Sequence, residues 1–233
     1  MHSKTLATIF SSLILLTTAY HQIPSLTSLS TFPIQDDATC DSSDTDIVTN
    51  CFNIYFNFFN LSTNPFPSFE TYQTVLDKYI LAKGAVGQAA VCAQKNALSL
   101  CLSSLEQECV NFQGLTLIFN LSPESAYHYN MDYYISQYEC GPGYNVTINN
   151  FFCIESCSNY EFKAEEACAI ALVVGGHNAQ DCAPYNTYIQ CMTKVYSNYC
   201  GKTVGNWMCN AQSYGILKDV PQCQSSFTAC GSI

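Results

Sequence analysis

The sequence predicts an all-α, disulfide-rich helical domain, and three observations carry that prediction. The chain has 15 cysteines among 233 residues. Apolar residues recur at steps of three and four along most of its length. Cys182, Cys191, Cys200 and Cys209 each stand nine residues apart. The segment 182–200 reads as helix, with Pro184 in its first turn and Tyr185, Ile189, Met192 and Tyr196 on one stripe. A nine-residue step turns a helix through about 900°, half a turn beyond two full ones. Successive cysteines therefore face opposite ways, and such a helix can be stapled to neighbours on two sides. Gly201 suits its C-terminal cap.

Composition sets the compartment. Cysteine at this density belongs to an oxidising environment and a disulfide framework. Leu6 to Leu16 is an apolar run of signal-peptide length behind Lys4, with Thr17 and Ala19 placed for cleavage after residue 19. Residues 1–19 read as a signal peptide, 20–39 as a flexible Ser/Thr/Pro-rich lead-in, and 40–231 as the cysteine-rich domain. The expected location is secreted and extracellular. Ala167 to Val174 is too short to span a bilayer. Formal charge is −10, with eight lysines and no arginine. Such a chain is a poor nucleic-acid binder and is repelled by anionic membrane surfaces.

The elements follow in order. Ser43, with Asp46 three residues on, predicts a helix start, and Ile47, Cys51, Ile54 and Phe58 its inner face. Asn60-Leu61-Ser62 is a glycosylation sequon, as are Asn120-Leu121-Ser122 and Asn145-Val146-Thr147. A second helix starts near Pro67 or Ser68, carries Phe69, Tyr72, Leu76 and Tyr79, and ends at Gly84 and Gly87. A third spans about Gln88 to Cys109. The apolar run LTLIFN, 115–120, reads as a short strand. Ser122 caps a helix from Pro123 to Tyr138. Its Tyr127, Met131, Tyr134 and Tyr138 form a core face, leaving Tyr129 and Tyr133 on another face as a candidate binding surface. CGPGYNVT reads as loop, Glu161 to Val174 as helix, GGHNAQD as loop, and a short helix after Cys209 runs to Lys218.

The cysteine spacings repeat. Cys40-x10-Cys51 matches Cys157-x10-Cys168; Cys92-x8-Cys101-x7-Cys109 matches Cys182-x8-Cys191-x8-Cys200; Cys140-x12-Cys153 matches Cys209-x13-Cys223. This spacing suggests two related halves, 40–153 and 157–230. Fourteen cysteines are then disulfide candidates. Cys230 is left over as a free thiol, or as the link of a disulfide-bonded dimer. Each bridge contributes roughly 2–4 kcal/mol.

Residues that carry chemistry are few. The chain has neither CxxC nor HExxH, so its cysteines read as bridges rather than metal ligands or redox pairs, and no metal or cofactor is expected. His128 and Asp132 stand four apart on one helix, as an acid–base dyad or a surface ion pair. His177 lies in the loop Gly175-Gly176-His177-Asn178. No Gly-x-Ser-x-Gly elbow exists, and Gly141-Pro142-Gly143 lacks the Lys or Ser of a phosphate loop.

The Cys-x10-Cys opening, the helix ending in C-x8-C-x7/8-C, the YCG at 199–201 and Pro221-x-Cys223 together resemble the nematode-expanded secreted cysteine-rich family called domain of unknown function 19. The resemblance covers 40–230 and implies location and class without a reaction. A fainter likeness, carried by Cys153-x3-Cys157 and Cys182-x8-Cys191, is to the secreted, helical, acidic insect odorant-binding proteins; this chain has a shorter gap between those pairs and more cysteines. The expected function is extracellular binding without catalysis, toward another protein or, alternatively, a small hydrophobic molecule; a third reading is a secreted hydrolase using His128 or His177, which requires a histidine beside a carboxylate in a cleft. A carrier requires an apolar cavity of a few hundred Å³. A protein-docking module requires a packed interior and an exposed aromatic patch.

Overall fold

Ser68 accepts a hydrogen bond from the Thr71 backbone N–H at 3.2 Å, and Ser122 does the same for Ser125. These caps satisfy otherwise orphaned donors and start two of the helices where the sequence places them. The computed structural model describes residues 40–174 and 181–233. Residues 1–39, where the signal peptide and the lead-in are expected, and His177 lie outside the described residues. Within them the chain is all helical, with no strand. The order is α1 (Thr45–Phe58), α2 (Phe69–Lys83), α3 (Ala85–Leu102), α4 (Leu105–Cys109), α5 (Phe112–Phe119), α6 (Pro123–Cys140), α7 (Tyr144–Asn149), α8 (Phe151–Tyr160), α9 (Phe162–Val174), α10 (Ala183–Cys200) and α11 (Lys202–Asp219), then a 3-10 turn (Pro221–Ser226). No described helix is long and apolar enough to cross a membrane.

Four local readings change. α1 starts at Thr45 without a side-chain cap, so the capping box at Ser43 does not form. Its inner face is Val48, Cys51, Phe52, Tyr55 and Phe56, while Ile47 and Ile54 are 50% and 56% exposed. Both stripes fit a helix; the aromatic one buries more area per side chain and wins. LTLIFN is the end of helix α5, not a strand. Asn111 caps α5 by accepting from Gly114 N–H at 2.8 Å, and Leu115 packs into the core. The third helix breaks at Ser103, whose φ is +48°, into α3 and α4. CGPGYNVT is not all loop, since Tyr144 opens α7.

Seven disulfides hold the helices. In the N-terminal half, α1–α6, they are Cys40–Cys109, Cys51–Cys101 and Cys92–Cys140. In the C-terminal half, α7 onward, they are Cys153–Cys200, Cys168–Cys191, Cys182–Cys223 and Cys209–Cys230. The first six bonds repeat one order. Counting only the cysteines of these six bonds, so leaving out Cys157, Cys209 and Cys230, the first in each half pairs with the fifth, the second with the fourth and the third with the sixth. The counterparts differ from those that spacing suggests: Cys153, not Cys157, stands where Cys40 does, and Cys223, not Cys209, where Cys140 does. As the nine-residue rhythm predicts, α10 is stapled to several neighbours: through Cys191 to α9, through Cys200 to α8, and through Cys182 to the 3-10 turn.

The unpaired thiol is therefore Cys157, not Cys230. Cys230 reaches Cys209 because the C-terminal tail is pinned to α11: Asn206 donates to the Ser232 carbonyl at 2.9 Å and Asn210 to that of Gly231 at 3.2 Å. Cys157 is 0% exposed, and burial, with Glu165 and Glu161 nearby, pushes its thiol up to about 12. A buried thiol of that kind is a small hydrophobe, not a nucleophile or a dimer link.

α6 lies at the centre, packed on α3 and α5 to one side and on α11 to the other. Tyr134 and Tyr138 are in the core as expected, but so are Tyr129 and Tyr133, at 5% and 4% exposure. The proposed Tyr129/Tyr133 binding surface does not exist, because α6 has neighbours on nearly every side. Tyr129 donates to the Pro67 carbonyl at 3.1 Å and meets Phe56, Phe66 and Phe69 edge to face. α10 and α11 join at Gly201, whose φ of +91° only glycine adopts without strain. They pack so closely that a Cβ on Gly205 would fall 1.7 Å from Ser197 Oγ.

Candidate functional site

Between the two halves the helices leave a cavity of about 400 Å³, partly open to solvent. α2, α3 and α6 of the N-terminal half form one wall, and α8 to α11 of the C-terminal half the other. Leu76, Ile80, Ile135, Met192, Met208 and Trp207 make much of it apolar. Trp207, the single tryptophan, is held by its indole N–H, which donates to Thr147 Oγ1 at 2.9 Å.

The polar part of the wall begins with Lys95 on α3. Val91, Lys95, Leu98 and Leu102 recur at helical spacing, so Lys95 is delivered inward with the core residues and is only 6% exposed. Its ammonium donates to Asp132 Oδ2 on α6. The Tyr72 hydroxyl donates to the same oxygen at 3.2 Å, and Tyr55 and Tyr72 hydroxyls lie 2.7 Å apart. The ammonium also stands over both rings, at 5.8 and 5.5 Å from their centroids. Burial drives the lysine's pKa down, but Asp132 and Tyr55 outweigh it and hold it above its ordinary value. The lysine is thus a cation in a cage rather than a nucleophile.

Three further carboxyl groups line the same space: Glu139 on α6, Glu155 on α8 and Glu165 on α9. Burial pushes Glu139 up to about 8, with Asp132 adding to the shift and Lys95 opposing it. Burial pushes Glu155 up to about 7, helped by Asp77. Glu165 is raised by burial and partly restored by the Tyr196 and Ser158 hydroxyls, which bond each other at 2.6 Å. Its Oε1 is buried with no hydrogen-bond partner. Desolvation disfavours the ionised form of each.

The His128–Asp132 dyad does not form. Asp132 is taken by Lys95 and Tyr72, while His128 stacks on Phe69 with ring centroids 5.2 Å apart and planes 20° apart. Burial lowers the His128 pKa, against the pull of Glu124. Nor is it a surface ion pair. Asn60, Asn120 and Asn145 are all exposed, so all three sequons present their asparagine to solvent. Among the described residues no cluster of His, Cys, Asp or Glu is placed to hold a metal ion.

Sequence reasoning passed over Lys95, Glu139, Glu155 and Glu165. A signal was present: each sits three or four residues from an apolar residue on a helix, with Val91–Lys95, Ile135–Glu139, Phe151–Glu155 and Phe162–Glu165 as the pairs. A charge on an apolar stripe is the mark of an enclosed polar group. In comparisons with protein-family models, curated proteins and solved structures, none matches this chain.

Proposed function

We propose that the chain is a secreted, glycosylated binding protein that carries a small, largely apolar ligand in the cavity between its halves and performs no catalysis on it. The observation that carries this reading is the cavity itself. A volume of about 400 Å³ lies in the range of small-molecule sites, which are mostly apolar with a few convergent polar groups. Protein interiors are otherwise close-packed, and an unfilled space this size loses dispersion contacts on every wall. A ligand restores them. Seven disulfides suit a protein that folds in an oxidising compartment and works outside the cell, bracing each wall of the cavity within its own half.

The test is native mass spectrometry of the protein recovered from culture medium, followed by titration with decanol. The carrier reading expects either a non-covalent adduct lost on denaturation or, for the empty protein, a change in Trp207 fluorescence that saturates at one equivalent. Replacing Ile154, which lines the cavity, by Phe narrows the space without adding a second indole and weakens the response. A bare mass together with no fluorescence response to decanol, decylamine or decanoate overturns the reading.

A further inference from the structure

Resting on the carrier reading, we infer that the ligand is a cationic amphiphile, an apolar body bearing a protonated amine, and that the carboxyl groups of this wall receive the amine, Glu139 on α6 and Glu155 on α8 first among them, with Glu165 on α9 lining the same cavity. The cavity wall carries six acidic side chains, Asp77, Asp132, Glu139, Glu155, Glu165 and Glu166, and two lysines. One lysine, Lys95, is already paired with Asp132, and the other, Lys78, is solvent-exposed. Among the described residues no cation pairs with Glu155 or Glu165. Glu165 Oε1 is an enclosed acceptor with nothing to accept from. Leaving a buried acceptor unpaired is costly, and a donor that fills the place recovers that cost.

Ligand classes separate on this wall. A fatty carboxylate meets an excess of negative charge and no free buried cation. A neutral alcohol satisfies one acceptor and leaves the rest. An ammonium group offers three donors and a positive charge, and charge-assisted hydrogen bonds to carboxylates are the stronger kind. Met192 on α10 and Met208 and Trp207 on α11 supply adaptable apolar surface and a ring face for the remainder of the molecule.

The pH dependence follows with a definite sign. Glu139 faces Asp132 on its own helix, Lys95 from α3 and Glu155 from α8; Glu155 also faces Asp77 from α2. Glu165 faces Tyr188 and Tyr196 from α10 and Ser158 from α8. In the empty cavity Glu139 and Glu155 lose their protons only through about 8 and about 7. An alkylamine stays protonated to about 10. Binding therefore favours the ionised carboxylates and releases protons, and affinity for the amine rises between pH 6 and pH 8 before levelling.

The probes are decylamine, decanol and decanoate, titrated against Trp207 fluorescence and by calorimetry at pH 6 and pH 8. Decylamine is expected to bind at least tenfold tighter than decanol at pH 8, to gain several-fold from pH 6 to pH 8, and to release protons in buffers of different ionisation enthalpy. Decanoate is expected to be weakest. In the Glu139→Gln/Glu155→Gln double variant the preference for decylamine over decanol falls tenfold and its gain from pH 6 to pH 8 is lost, while a near-UV circular dichroism spectrum like that of the parent shows that the variant folds. Equal or tighter binding of decanol or decanoate overturns the amine assignment and leaves the carrier reading standing. No binding of any probe overturns both.

Discussion

The two halves share an order of disulfides and differ in almost everything the disulfides enclose. The N-terminal half packs rings: Phe52, Tyr55, Phe56, Phe59, Phe66, Tyr72 and Tyr129 touch one another in a continuous set of tilted and edge-to-face pairs. The C-terminal half packs Met192, Met208, Val204, Ala211 and the single Trp207, and adds a fourth bridge and a buried thiol. The same crosslink order therefore tolerates two unlike fillings. Bridges decide which helices neighbour one another, and side chains decide how tightly the space closes. The cavity lies between these two kinds of core, and the buried charges gather there.

That comparison is sharpest at Asp132. Asp132→Ala leaves the Lys95 ammonium in a nearly closed site without its counter-ion, and removing one partner of such a pair is expected to cost about 3–5 kcal/mol. Chemical denaturation measures it. A loss below about 1 kcal/mol would mean that Lys95 finds solvent and that the seam is looser than described.

The bridges come next and set the halves against each other. Cys51–Cys101 closes a loop of 50 residues and Cys168–Cys191 its counterpart of 23. By loop entropy, paired Cys→Ser changes are expected to cost about 4 kcal/mol in the first case and about 3 kcal/mol in the second. A larger loss from the shorter loop, read from urea midpoints, would show that the C-terminal core leans on its bridges more than loop length explains.

Gly205→Ala probes the close approach of α10 and α11 in the C-terminal half. The added methyl meets Ser197, and the expected cost is about 1–3 kcal/mol. Ser197→Gly in the same chain is expected to recover most of it.

The pH slope of the empty protein tests the same seam. Glu139 and Glu155 have folded-state pKa values raised above their ordinary carboxyl range, so the folded state holds protons that the unfolded chain releases. Their penalty is absent below about pH 4 and is felt progressively up to about pH 8, so stability falls across that window as pH rises. Thermal midpoints should decline from pH 5 to pH 8, and Glu139→Gln/Glu155→Gln should flatten the decline.

Much of this was legible in the residues. Ser68, Ser122, Pro123 and Gly201 mark helix ends because caps act locally, and the nine-residue cysteine rhythm marks α10 as a helix with staples on more than one side. The inner face of α1 was not legible, because the Ile47/Ile54/Phe58 and Phe52/Tyr55/Phe56 stripes both have helical period and only the neighbours choose between them. LTLIFN has the composition of a strand, but a strand needs a partner, and the Asn111 cap and the α6 surface give it a helix instead. Spacing ranked Cys157 with the bridges and set Cys230 aside; pairing depends on distances in the fold, which the tail contacts of Asn206 and Asn210 determine. The cavity was invisible for a simpler reason. It is a place where side chains fall short, and only their positions reveal it.

The most direct test of the shared crosslink order is non-reducing peptide mapping by mass spectrometry, with thiols alkylated before and after denaturation. The account predicts seven intrachain links, six of them in the repeated order and Cys209–Cys230 in addition. It also predicts one thiol, Cys157, that is alkylated only once the protein is unfolded. Cys157 found in a disulfide, or Cys153 found unpaired, would contradict it.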